Sequence, residues 1–314
     1  MRAEINGAEL CIDATGDPGH PAVLLIMGAG GSMDRWEDPF CARLAAAGRY
    51  VIRYDHRDTG GSTTYPPDEP GYTGDDLIAD AGRYVIRYDH RDTGGSTTYP
   101  PGEPGYTADD LAADALGVLD HLDVARAHLV GLSMGGGIVQ RIAVEHPQRV
   151  LSITLMSTSP AGSGGPELPP MSDTMHAVFY GEQPLEPDWS DREAAIEYLV
   201  DAERPYVGSR GLDEEAMRAL IGRVYDRSTS MLSANNHFMV DGDEMPRARL
   251  GDIHVPALVI HGSDDPLFPL PHGEALAREI PGAQLLVVDG LGHELSRWAW
   301  DDVLPALISL TGRS

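Results

Sequence analysis

The stretch His128-Leu-Val-Gly-Leu-Ser133-Met-Gly-Gly-Gly-Ile-Val-Gln140 decides how the rest of the chain reads. An apolar run, Leu129 to Leu132, stops at a serine, and a helical pattern begins at once. Gly131-Leu-Ser133-Met-Gly135 fits G-x-S-x-G, the pattern of a sharp strand-to-helix turn that leaves a serine hydroxyl exposed. The glycines have a physical reason: the serine sits in strained backbone, and side chains two residues before and after it would clash. The helix that follows aims its unpaired N–H groups and partial positive charge at the place where an oxyanion would form.

Working outward, Ala22–Met27 is an apolar run that ends in Gly28-Ala-Gly-Gly31. This loop lacks the third glycine of a dinucleotide fingerprint and the Gly-Lys-Ser/Thr of a phosphate loop. It reads instead as a source of a backbone N–H for an oxyanion hole. Buried strands are expected again at 151–156, 255–261 and 284–288, with helices over 36–47, 108–122, 137–145, 271–280 and 298–310. Residues 2–14 alternate around Asn6-Gly7 and read as a hairpin. Strands alternating with helices predict an α/β fold with a mainly parallel central sheet covered on both faces. Residues 159–246 change character, becoming rich in Pro, Gly, Met and charge, and read as an inserted helical cap between core segments 1–158 and 247–314. Its Met171, Met175, Met217, Met231 and Met239 are either ordinary core or the lining of an apolar pocket.

Residues 47–80 recur as 81–114, with differences only at Asp68/Gly102, Gly74/Ala108 and Ile78/Ala112. Two copies are too few for a solenoid, so this is a tandem duplication inside a single-copy domain. Only one copy can fill the strand position. The second runs directly into the helix at 108–122, so it is expected in the sheet, with 47–80 as surplus. The competing registers make a homodimer swapped through this segment an open expectation.

The formal charge of −26 argues against nucleic acid and anionic membranes as partners. Two cysteines, Cys11 and Cys41, lack metal-type spacing, and the twelve histidines lack ligand spacing, so no metal and no cofactor are expected. No run of 18 apolar residues and no signal-like N-terminus occur, which predicts a cytoplasmic protein. His56 and His90 each follow a strand-end Asp and read as structural. His237, in Asn235-Asn-His-Phe, reads as a surface or packing residue or as a substrate contact.

A serine hydroxyl needs an adjacent base, and the base needs an acid that fixes its tautomer. After a serine elbow the acid and then the histidine follow in chain order, each on a loop at the C-terminal end of a strand. The chain supplies Ser133, then Asp264 or Asp265, then His293.

With these residues in place, the chain resembles the α/β-hydrolase fold superfamily. Within it, Met27-Gly-Ala, the Tyr-Asp-His-Arg-Asp-Thr-Gly run, Gly-Leu-Ser-Met-Gly and Asp265-Pro-Leu-Phe-Pro-Leu-Pro-His-Gly273 are similar to the aclacinomycin methylesterase group. The resemblance implies Ser133 as nucleophile, His293 as base and Asp265 as acid, because the family pattern is Gly-x-x-Asp-Pro. It also implies an oxyanion hole from the backbone N–H groups of Ala29 and Met134, and hydrolysis of a carboxylic ester, such as a polyketide-type methyl ester. Lactone, amide (iminopeptidase-like) or C–C hydrolysis, and cofactor-free perhydrolysis, use the same constellation. A non-catalytic ligand-binding protein on this scaffold is the remaining alternative. Epoxide hydrolase and dehalogenase chemistry is disfavoured, since those enzymes carry Asp where Ser133 stands.

Overall fold

A computed structural model describes residues 1–47, 50–59, 89–94, 99, 104–182, 184–228, 230–240 and 245–312, with backbone alone for residues 9, 50–59, 89, 91 and 94. The hairpin forms as expected: β1 (Arg2–Ile5) and β2 (Ala8–Thr15) pair antiparallel across Asn6 and Gly7, both at positive φ. Then come β3 (Ala22–Ile26), α1 (Asp38–Ala46), β4 (Tyr50–Thr59), β5 (Asp89–Gly94), α2 (Ala108–His121), β6 (Ala127–Leu132), α3 (Met134–Glu145) and β7 (Val150–Met156). The helical segment α4 (Asp173–Tyr180), α5 (Arg192–Glu203) and α6 (Glu214–Arg227) follows, and β8 (Ala257–Gly262), α7 (Pro271–Glu279), β9 (Gln284–Val288) and α8 (Trp300–Thr311) complete the chain.

The strands lie in the order β1-β2-β4-β3-β6-β7-β8-β9, with β4 to β9 along this path mutually parallel and β5 paired to β4. Period-two alternation sends neighbouring strand residues to opposite faces. Leu24 and Ile26 of β3 join a core with Val118 of α2, Ile142 of α3 and Leu276 of α7. Val23 and Leu25 join the other core, with Phe40 and Leu44 of α1 and Val303 and Leu307 of α8. Each such fully buried side chain contributes about 1.5–3 kcal/mol. All the parallel strands therefore end their C-termini on one edge, where Ser133 and the loops after β8 and β9 meet. No helix among the described residues is long and apolar enough to cross a membrane.

The expectation that the second copy fills the sheet is corrected. β4 comes from the first copy, lying between β2 and β3 in register Ala14↔Ile52 and Leu24↔Ile52. The connection explains this: α1 ends at Ala46 and β4 starts at Tyr50, so the first copy reaches the vacant strand position without any chain having to be looped out beforehand. Asp89–Gly94 of the second copy continues alongside, pairing His56↔Asp89 and Asp58↔Thr93. In chain order the surplus thus falls between β4 and α2. The second copy's Tyr84–Tyr88 lies outside the described residues, as does the side chain of His56.

The helical segment is closed at its base, where Ser163 bridges to Pro246 through Ser163 N–H to Met245 O (3.2 Å) and Arg247 N–H to Ser163 O (2.9 Å). It is tied to the loop after β3 by ion pairs: Arg35 with Glu203, and Arg227 Nε with Asp34 Oδ2 at 2.8 Å. The methionines divide between the two expected roles, and Met239 fits neither. Met175 is fully buried, Met217 packs on Ile196, Val200 and Ile221, Met231 lines a separate cavity with Trp189 and Tyr225, and Met239 is exposed.

Candidate active site

Ser133 occupies the single residue between β6 and α3, at φ 53° and ψ −117°. A non-glycine residue rarely adopts this conformation, and its surroundings hold it there. Its N–H donates to Met156 O (2.9 Å), and its carbonyl accepts from the Thr158 hydroxyl (2.8 Å) and Gly136 N–H (2.9 Å). A Cβ on Gly131 would stand 2.2 Å from the Gly135 carbonyl oxygen, and one on Gly135 2.3 Å from Ile26 O. Only glycines let β6, α3 and β3 approach this closely.

His293 follows β9. Its Nε2 lies 3.0 Å from Ser133 Oγ, and its Nδ1 lies 2.9 Å and 3.1 Å from the two oxygens of Asp265. An acceptor-only carboxylate on Nδ1 places the proton there and leaves Nε2 to accept from the serine hydroxyl. Asp265 Oδ1 also accepts the N–H groups of Leu267 (3.0 Å) and Phe268 (2.9 Å). Burial works to raise the Asp265 carboxyl, but the His293 charge and hydrogen bond, His261 and the Phe268 N–H outweigh it and hold it below the usual carboxylate range. Behind it, the buried His261 donates from Nε2 to Phe268 O (2.7 Å), pinning the 265–268 turn, and burial lowers its own pKa. Asp264 is exposed and turns away, accepting from Ser209 N–H and the Ser263 hydroxyl.

Residues 28–31 form a turn closed by Gly31 N–H to Gly28 O (3.2 Å), with Gly30 at φ 67°. The positive φ at the third position marks a type II turn, which glycine suits. Ala29 N–H donates to no described group, and Met134 N–H is the first of α3, with no carbonyl one turn back. Gly28 packs on Ser133, its added Cβ lying 3.1 Å from that of the serine. The 28–31 turn thus lies against the nucleophile residue.

The sequence profile of the alpha/beta hydrolase fold family matches residues 72–298, well over half the chain. The chain belongs to the α/β-hydrolase fold family. A rhodomycin D methylesterase of Streptomyces sp. (strain C5) is 31% identical over 306 residues, covering 90% of this chain and 88% of the relative. A 2-hydroxy-6-oxononadienedioate/2-hydroxy-6-oxononatrienedioate hydrolase of Cupriavidus pinatubonensis is 34% identical over 194 residues, covering 59% of this chain and 61% of that one. Among solved structures, an enol-lactonase of Burkholderia xenovorans superposes with TM-score 0.67 at 24% identity, covering all of both chains. The methylesterase likeness agrees with the resemblance carried by the motifs, and the structural likeness supports the fold.

In this α/β-hydrolase the site opens onto a cavity of 410 Å³, lined by apolar side chains such as Leu111, Ile138, Val240, Met245 and Phe268 together with Ser133. Phe268 sets its ring edge-on to His293 at 5.5 Å, and Tyr206 lies 6.1 Å away on another side. Arg141 is the cationic residue in the lining, and it is paired with Asp109 and with Glu145 at 3.3 Å. No group of three or more His, Cys, Asp or Glu among the described residues could hold a metal.

Beside His293, burial raises the Glu294 carboxyl, while the Ser296 hydroxyl and nearby backbone N–H groups of Gly208 and Gly292 oppose it. A carboxyl whose folded pKa lies above its unfolded value contributes stability at low pH and loses it as pH rises through the folded value. Glu294→Gln is therefore expected to raise the melting temperature at pH 8 by about 2–4 °C, as about 1 kcal/mol would, and to leave pH 4 unchanged. Thermal melts across pH check this; equal melting curves at pH 8 would show the charge carries no penalty.

Several contributors are not conspicuous in the sequence. Thr158, Tyr206 and Phe268 act through placement, and their residue types at those positions are unremarkable in a string of letters. His90 is fully buried, with its ring edge-on to His237 at 5.4 Å. His237 itself is buried against the 28–31 turn and lines the cavity.

Proposed function

We propose that this protein is a serine hydrolase that cleaves a neutral, largely apolar carboxylic ester through an acyl-enzyme. The observation that carries the reading is the continuous chain Ser133 Oγ, His293 Nε2, His293 Nδ1, Asp265 at 3.0 and 2.9 Å, opening on an apolar cavity. His293 takes the hydroxyl proton as Ser133 Oγ bonds to the ester carbonyl carbon. The carbonyl oxygen becomes an oxyanion, received by the N–H groups of Ala29 and Met134, each worth about 3 kcal/mol of barrier. Collapse breaks the carbon–alkoxy oxygen bond, and His293 returns the proton to the departing alcohol. Water then repeats the sequence on the acyl-enzyme and releases the acid. Asp265 stays ionised throughout, as its lowered pKa requires. Residues 159–246 serve as a cap that shapes the pocket.

The pairing of Arg141 supports an uncharged substrate over an acidic one, since a carboxylate entering the cavity would meet a cation already neutralised by Asp109 and Glu145. A methyl ester of a polyketide-type acid fits this environment and agrees with the activity named for the Streptomyces relative. C–C hydrolysis is the second reading, favoured by the likeness to the Cupriavidus hydrolase. A fluorophosphonate probe with p-nitrophenyl and methyl esters tests the proposal. Labelling is expected at Ser133 by mass spectrometry, with ester turnover; a folded protein that neither labels nor turns over any ester overturns it.

A further inference from the structure

We propose that His237 is a positioning residue for the oxyanion hole, holding the 28–31 turn from the helical segment that lies over it. The inference rests on the reading of Ala29 N–H as an oxyanion donor. His237 Nδ1 accepts the Gly30 N–H at 2.9 Å, joining residues 207 positions apart in the chain. A type II turn can exchange with type I by flipping its central peptide, and glycine at the third position accommodates both states. The peptide that flips is the one between Ala29 and Gly30, whose N–H His237 holds. With Gly31 N–H spent on closing the turn and Gly30 N–H on His237, the Ala29 N–H is left for the substrate. The Ala29 N–H belongs to the preceding peptide, so a flip reaches it through the Ala29 backbone torsions. Pre-organised donors stabilise charge without reorganisation at the moment of reaction, and a turn loosened there loses rate rather than substrate affinity.

The imidazole is itself fixed. It is 6% exposed, with His90 edge-on at 5.4 Å and 87° and Tyr106 at 6.5 Å and 85°. The preceding Asn236 donates to Asp92 Oδ2 (2.8 Å) and Tyr99 O (3.3 Å), and Asp92 Oδ1 accepts Tyr99 N–H (2.5 Å). A methyl at Gly30 would lie 3.7 Å from Ala234 Cβ, so the 233–238 turn rests directly on the oxyanion turn. Accepting an N–H requires an unprotonated Nδ1, which assigns the ring proton to Nε2. His90, Asp92, Tyr99 and Tyr106 all belong to the second copy of the duplication, so that copy is the wall against which His237 is braced.

Three variants separate positioning from packing. Asn places Oδ1 near the Nδ1 position, Gln places its oxygen near the Nε2 position, and Phe keeps a ring without an acceptor. For His237→Phe, kcat on a p-nitrophenyl ester should fall about 10- to 100-fold with KM within about threefold, less than the loss of a whole oxyanion donor. Amide hydrogen exchange at Gly30 should rise at least about tenfold in the same variant, because its N–H loses its acceptor. His237→Asn should keep Gly30 protected and kcat within about fivefold of the parent, and His237→Gln should behave like Phe. Wild-type kcat in His237→Phe, a protected Gly30 in that variant, or Asn no better than Gln overturns the proposal. Should the Phe variant fail to fold, the comparison of Asn with Gln decides. Exchange at Gly30 reads the contact even if the parent turns over no ester, so failure of the esterase reading is seen separately as absent turnover and labelling.

Discussion

Replacing Ser133 by Ala is expected to lower kcat by about 10⁶-fold while leaving the fold intact. Without Oγ there is no atom to form the acyl-enzyme, and His293 Nε2 loses the group 3.0 Å away whose proton it would take. Loss of the nucleophile in a serine triad costs about this much, and the small residue of activity reflects binding and the oxyanion donors alone. The backbone at 133 is held by Met156 O, Thr158 and Gly136 through main-chain atoms that Ala retains. Melting temperature and circular dichroism should match the parent, and fluorophosphonate labelling should vanish. Retained turnover would place the nucleophile elsewhere.

The second large effect is expected at Asp265. In Asp265→Asn, the amide oxygen can still accept the Leu267 and Phe268 N–H groups that Oδ1 accepts now, so the 265–268 turn survives. The amide nitrogen, however, would face His293 Nδ1 as a donor. That forces the ring proton to Nε2, where it blocks acceptance of the Ser133 proton. A wrong tautomer in an otherwise intact triad costs about 10⁴-fold in kcat. Asp264→Asn is the control, because Asp264 is exposed and bonded to Ser209 and Ser263; its kcat should stay within about threefold. Steady-state kinetics on both variants decide the matter, and a loss at Asp264→Asn as large as that at Asp265→Asn would show that Asp265 is not the acid by itself.

The fold was legible because its signals are local. An apolar run ending at Gly131-Leu-Ser133, with Gly135 beyond, admits few backbone solutions, and the glycine contacts near 2 Å explain why. The order Ser133, then Asp264 or Asp265, then His293 followed from strands whose boundaries are marked by apolar runs, and the choice of Asp265 rested on the Gly-x-x-Asp-Pro pattern of the resemblance. Other features were hidden for definite reasons. Two near-identical copies carry equal propensity for the strand, so only chain connectivity, the four-residue step from Ala46 to Tyr50, distinguishes them. The methionines of 159–246 gave no indication of which face they would turn, because that depends on how helices dock. His237 needed its distant partner Gly30 to acquire a meaning beyond packing.

The strand β4 from one copy and the His90–Thr93 wall from the other have a consequence for heredity. Joining Tyr54 directly to Asp89 would excise 34 residues and restore an uninterrupted strand-to-loop passage. Because the repeat unit is also 34 residues long, a crossover between the two copies at any point gives almost the same product, differing only at the three unlike positions. The gene therefore needs no precise cut to shed the insertion. A single unequal recombination yields a shorter chain whose every junction is already a native sequence, so the duplicated and single-copy forms are one genetic step apart in either direction.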